Sequence, residues 1–305
     1  MTIMADVKMD DQIDYEALKK LDIETIPFSK RIEAFYEGTR ALTDLSKQIM
    51  IPQLTALIQP SRKEEIIKGL YYRIYAWMYS LVSLKEIINF QAAASVTRSI
   101  FELLLDIKLM IEDKPKNSIA KFDAFIEVEK FRIAKKYVDF KVKNPDLKYV
   151  GGSGKENLVN KKGEEARINN LIVTCWGKDK KGRPMKVVHW TGWKTDKRAQ
   201  EAGKNYELFY HEQYALLSLY THAGLIGIQG MKKDGLEAVF GNAHMLATPM
   251  FSDATLLVAK ELKLMQAIPQ LVDWIQEAKS EVGKILLDEH IKQLQELKSK
   301  KEISQ

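Results

Sequence analysis

From Lys30 onward, apolar side chains recur at three- and four-residue steps. Ile32, Phe35, Tyr36, Leu42, Leu45, Ile49 and Leu54 share one side, the pattern of an amphipathic helix, and Pro52 is expected to kink or stop it. Pro60-Ser61 then precedes a second helix running to about Asn89. Ser61 is its N-cap and Glu64, three residues on, its capping-box partner. A third helix, about Ala92 to Glu112, carries Val96, Ile100, Leu103, Leu104, Ile107 and Ile111 around most of its circumference, which places it centrally. Beyond Pro115 a fourth helix, about 117–142, sets Phe122, Phe125, Val128, Phe131 and Tyr137 against lysines.

The pattern then changes. Residues 143–163, with Gly151-Gly152-Ser153-Gly154 and many lysines, read as an exposed loop. Residues 171–193 read as a β-hairpin: Leu171, Ile172, Val173 and Trp176, a turn-rich Gly177–Gly182, then Val187, Val188 and Trp190. Helical periodicity returns after Thr195 and is strongest over Tyr206–Thr221. Five glycines between 223 and 251 read as loop, and helices over about 252–279 and 281–300 close the chain. The expected architecture is mainly α, a helical bundle with a small β-hairpin insertion. It divides into an acidic arm at 1–29 and a single domain at 30–300 bearing a basic insertion at about 143–195.

Composition is that of an ordinary globular chain: 46% hydrophobic and 29% charged among 305 residues. One cysteine, Cys175, excludes an internal disulfide and any multi-cysteine zinc site. No apolar run approaches the roughly 18 residues of a membrane span, and no export signal opens the chain, so no membrane partner and a cytoplasmic location are expected. Charge is more informative. Residues 130–204 hold 20 Lys and Arg against 8 Asp and Glu, an excess of +12 in a chain of net +6. Such asymmetry marks a surface facing polyanions or a solvated insertion.

Three groups of residues are candidates for chemistry. Arg98 and Glu102 lie four apart on one face of the third helix, with Asp106 a turn further. On an apolar helix they form either an internal ion pair that fixes register or a polar lining to a cleft. His211, Ser218 and His222 return to nearly the same angle of a straight helix. His222 there either caps the helix end or serves as a general acid/base. Lys180, Lys181, Arg183, Lys186, Lys197 and Arg198 interleave with Trp190 and Trp193, a combination suited to single-stranded nucleic acid. The plainer alternative is that the tryptophans pin the segment while the lysines stay hydrated.

No phosphate-binding glycine loop, metal-spaced histidine pair or Gly-x-Ser-x-Gly elbow occurs. No cofactor or metal is therefore expected.

The order of these motifs is an Arg98-x3-Glu102 helix, then His189-Trp190-Thr191-Gly192-Trp193, then a Tyr-rich helix closing on Ser218-x3-His222. It resembles, over about residues 60–225, a bacterial family known only as a domain of unknown function. That family is similar in outline to the helical HEPN-type proteins of phage-defence and toxin systems, many of them metal-independent ribonucleases. The resemblance implies an RNA-acting effector in which Arg98 contacts phosphate, His222 moves protons, and Glu102 or Ser218 orients them. Arg98 and His222 are 124 positions apart, so such a site must be assembled in three dimensions. Two non-catalytic readings stand beside it. One is a helical scaffold using its basic Trp-rich segment to contact nucleic acid or a partner protein. The other is a homodimer in which the Arg98–Glu102 pair is structural.

Overall fold

The computed structural model describes residues 26–148, 153–221 and 233–303. Most of the acidic arm and His222 lie outside these. The chain forms two compact units, one from residues up to 107 together with those from 211 onward, the other from Lys108–Tyr210.

In the first unit, α1 (Phe28–Leu45) runs through a widened π-helical turn, Ser46–Met50, into the short α2 (Ile51–Thr55). Pro52 does not stop this helix at once. It has no N–H to offer the Gln48 carbonyl, and the ladder switches to i→i+5 bonding in the turn just before it. Helix α3 (Arg62–Ser83) begins as the sequence predicts: the Ser61 hydroxyl accepts from the Glu64 amide, and the Glu64 carboxylate accepts from the Ser61 amide at 2.6 Å. One stripe of α3, including Ile67, Leu70, Tyr71, Ile74, Met78 and Leu81, is buried. Helix α4 (Phe90–Ile111) buries Val96, Ile100, Phe101, Leu104 and Ile107, in line with its near-continuous apolar circumference.

The second unit holds α5 (Ser118–Lys143), α6 (Ser153–Asn160), α7 (Glu164–Trp176), α8 (Thr195–Ala202) and α9 (Lys204–Phe209). A second π-helical turn, Tyr210–Tyr214, leads back into the first unit and α10 (Ala215–Thr221). Helices α11 (Lys233–Glu261) and α12 (Leu271–Ile303) complete it, both packing along α1.

The expected β-hairpin is absent: the described residues contain no strand. Leu171–Trp176 is the last part of α7, and the β character among the described residues is limited to an isolated antiparallel bridge between Lys178 and Pro184. The β-branched run at 171–173 favours a strand locally, but the helical i, i+4 pair Ile168 and Ile172 buries against Val128, Phe131 and Val187. Packing overrides propensity here. The turn signal itself holds, since Asp179 N–H donates to the Arg183 carbonyl at 2.7 Å and Gly182 N–H to the Asp179 carbonyl at 2.9 Å. Likewise, 233–251 is helix rather than loop, and the closing helices are α11 and α12 instead of 252–279 and 281–300.

Where α1 meets α11 the core is unusually polar. Thr39, Thr43, His244, Thr248, Ser252 and Thr255 are all buried. Most of their hydroxyls bond to the carbonyl four residues earlier: Thr39 to Phe35, Thr43 to Thr39, Thr248 to His244 and Thr255 to Phe251. That local satisfaction removes most of the cost of burial. Tyr71 spans the layer, its hydroxyl 2.9 Å from Ser46 Oγ and 3.0 Å from Thr255 Oγ1.

Candidate functional site

Arg98 and Glu102 are paired, as their spacing predicts, with Nε–Oε1 at 3.1 Å. Neither is sealed in the core, for their side chains keep 30% and 32% exposure. The pair is completed by a residue from a distant part of the chain. Tyr214, at the end of the second π-helical turn, accepts from Arg98 Nε at 2.9 Å and donates to Glu102 Oε1 at 2.6 Å. Its ring also sits under the guanidinium, 5.2 Å from centroid to Cζ, and against Phe101. Thr221 Oγ1, at the end of α10, is 3.5 Å from Arg98 Nη1.

The geometry fixes one edge of the arginine and leaves the other. Nε is shared between Tyr214 and Glu102, whereas Nη2 makes no hydrogen bond among the described residues. Partial burial works against the Arg98 charge, but the Tyr214 hydrogen bond and then Glu102 outweigh it and hold its pKa above the ordinary value. A guanidinium locked at Nε, with Nη2 open among the described residues, is oriented to receive an oxyanion.

Ser218 is half-buried, and its carbonyl accepts from the Thr221 hydroxyl at 2.9 Å. His211 is exposed; it lies inside the π-helical turn, which changes the angular step and removes the straight-helix alignment with Ser218. Asp106 is buried. Cys175 is half-buried, and burial pushes its thiol pKa up, away from the low values of nucleophilic cysteines. The described residues contain no group of three or more side chains able to hold a metal.

The proposed nucleic-acid contacts divide into two classes. Lys180, Lys181, Arg183, Lys186 and Lys197 are exposed. Arg183 bonds to Asp179, Nε to Oδ2 at 3.0 Å, and Lys197 pairs with Glu201 at 2.7 Å; Lys180, Lys181 and Lys186 pair with no acid among the described residues. The others face inward. Trp190 is only 2% exposed and packs edge-on to Phe122, its carbonyl accepting from Trp176 Nε1 at 2.9 Å. Arg198 is 3% exposed, and Trp193 is half-buried. The tryptophan segment is thus built into its own unit, and Trp190 has no face left for a base to stack on. The unit containing these residues, Lys108–Tyr210, has 24 Lys and Arg against 14 Asp and Glu, a net of +10, so the rest of the +6 chain sums to −4.

Tyr214 and Thr221 were not singled out by sequence. The only prior sign was Tyr214 among several tyrosines at helical spacing. His244 was missed because its surroundings read as loop.

A family model, described as a family of unknown function (DUF5677), matches residues 64–235, more than half of the chain. This stretch contains Arg98, Glu102, Tyr214 and Thr221. Nothing matches among curated proteins or solved structures. The resemblance drawn from the motifs is corrected accordingly. Its middle element is not a hairpin among the described residues, and what the match shows is a helical domain of unknown function and not a HEPN-type protein.

Proposed function

We propose, for a chain that belongs to the family of unknown function DUF5677, that it is an RNA-binding protein in which Arg98 holds a backbone phosphate. The observation that carries this reading is the Arg98 guanidinium itself, oriented through Nε by Tyr214 and Glu102, with Nη2 making no hydrogen bond among the described residues. An anion arriving at the outer edge finds a cation that needs no reorientation. Separately, within the Lys108–Tyr210 unit, Lys180, Lys181 and Lys186 are exposed and have no acid partner among the described residues, and such cations attract a phosphate chain and release its counterions. Because Trp190 is buried, binding is governed by phosphate contacts more than by stacking on that ring.

Cleavage is the second step of the same proposal. The residue proposed as general acid/base is His222, which lies outside the described residues. It would take the proton of a ribose 2′-hydroxyl as O2′ bonds to the phosphorus held by Arg98 and the P–O5′ bond breaks, then return that proton to the leaving O5′, giving a 2′,3′-cyclic phosphate and a free 5′-hydroxyl. Glu102 acts through Arg98, and Ser218 precedes His222 by four residues in sequence.

The test is fluorescence anisotropy of labelled single-stranded RNA over a salt series, with Arg98→Lys and the Lys180→Glu/Lys181→Glu double variant. Log affinity should fall with log salt by about 0.7 per phosphate neutralised. Arg98→Lys, which keeps charge but loses the fork, should weaken binding about tenfold. Equal binding by Arg98→Lys would remove Arg98 from the interface. RNA incubated with excess EDTA, alongside His222→Ala, then separates cleavage from binding: RNA that is bound but left intact identifies a binding module.

A further inference from the structure

A cleft of about 240 Å³ opens within the basic unit, between α5 and α7. Its floor is the buried set Val128, Phe131, Ile168 and Ile172. Its rim is polar, and helical spacing explains why. Val128, Phe131, Arg132, Lys135 and Lys136 follow one another at alternating steps of three and one along α5, so the apolar stripe is bordered by cations one position round the helix. On α7, Asn169 follows Ile168 in the same way.

The rim cations are not equivalent. Arg132 is committed, with Nη2 donating to the Val187 carbonyl at 2.8 Å and Nη1 paired with Glu129. Lys135 is held loosely, 3.6 Å from Glu165 and 42% exposed. Lys136 is exposed and pairs with no acid among the described residues. Two carboxylates, Asp139 and Glu165, share the rim, so the site offers an apolar slot, an amide at the lip and, in Lys136, a cation with no acid partner among the described residues beside the loosely held Lys135. It is smaller than the roughly 300–1,000 Å³ of drug-sized ligand sites, with room for one small ring system and its attached anion.

We propose that this cleft is a mononucleotide subsite. It takes a single unstacked pyrimidine base against Ile168 and Ile172, with its phosphate on Lys135 and Lys136 and its polar edge toward the Asn169 amide. The inference deepens the RNA-binding reading and rests on it. It also makes the preferred RNA single-stranded, since a paired base cannot leave its stack to enter the slot without an energetic penalty.

The test uses the full chain labelled at isoleucine δ1 methyls, titrated separately with uridine 5′-monophosphate and a short oligouridylate. Anisotropy of the labelled oligonucleotide is followed in parallel. The variants are Asn169→Trp, which closes the mouth from an exposed position, and Lys136→Glu. Saturable shifts at Ile168 and Ile172 but not at Ile74, lost in Asn169→Trp, are expected. Oligonucleotide affinity should fall at least fivefold in both variants, on the order of the 1 kcal/mol or more that one base contact contributes. Oligonucleotide binding with unmoved methyls and unchanged variants would overturn the cleft assignment and leave RNA binding intact. Methyl shifts with the mononucleotide but no oligonucleotide binding would uphold the cleft and remove the RNA reading. Silence in both titrations removes both.

Discussion

The Tyr214 hydroxyl donates to Glu102 Oε1 over 2.6 Å, joining residues 112 positions apart in a single bond. Because the same oxygen accepts from Arg98, it closes a triangle of three polar groups at a half-buried position. Each member then has a geometric reason to stay where it is, and each can be perturbed separately.

Tyr214→Phe removes the hydroxyl while keeping the ring against Phe101 and Arg98. Two hydrogen bonds are lost, one of them to a carboxylate, and the expected destabilisation is about 1–3 kcal/mol. RNA affinity should fall with it, because Arg98 Nε is then held by Glu102 alone. Urea denaturation and anisotropy on the same preparation check this. Lower stability with unchanged affinity would show that Tyr214 serves the fold and not the anion.

Glu102→Gln keeps an oxygen to accept from Tyr214 and Arg98 but removes the negative charge nearest the proposed phosphate. A unit charge about 6 Å away in water contributes roughly 0.7 kcal/mol. RNA affinity at low salt should therefore rise about threefold, with the gain shrinking as salt is added. A fall in affinity would mean that the carboxylate's orienting role outweighs its repulsion.

His244 is 0% exposed, and burial pushes its pKa down to about 4 from 6.5. Its Nδ1 is 3.2 Å from Thr39 Oγ1, and Nε2 has no hydrogen-bond partner among the described residues. Thr39 Oγ1 already donates to the Phe35 carbonyl, so Nδ1 carries the proton and Nε2 is left as a bare acceptor, the cheaper group to leave unsatisfied. The unfolded chain takes up this proton below 6.5 and the folded protein only near 4. His244 therefore leaves stability intact above pH 6.5 and erodes it as pH falls toward 4. The loss between pH 7 and 5 should be about 2 kcal/mol. Comparing urea midpoints at these two pH values in the parent and in His244→Leu isolates it; an equal drop in both would assign the acid sensitivity elsewhere.

Gly192 has φ +78° and lies beside the Trp176 indole, where an added Cβ would come within 2.8 Å of Cδ1. Gly192→Ala meets both backbone strain and a collision with the ring that donates to the Trp190 carbonyl. It should destabilise by about 1–3 kcal/mol. Tryptophan fluorescence during thermal unfolding reads this directly, and an unchanged midpoint would show that the Trp176 ring can move aside.

The periodicity of apolar side chains by itself located α1, α3, α4 and α5, because each has one wide apolar stripe with nowhere to go but a core, although α3 ends at Ser83 and not near Asn89. Ser61 and Glu64 marked the start of α3 for an equally local reason: both bonds of the capping box lie within four residues. The charge excess around 130–204 was also legible, since it needs only a count. Tertiary packing decided the rest. Leu171–Trp176 has strand-like composition, yet Ile168 and Ile172 can be buried together against Val128 and Phe131 only on a helix. Trp190 was expected beside nucleic acid and is instead enclosed by Phe122 and its neighbours. Arg98 and Glu102 could be paired from their spacing, whereas Tyr214 could not be placed with them. A local pattern fixes which side chains share one helix face; only the folding of the chain fixes which second helix that face meets.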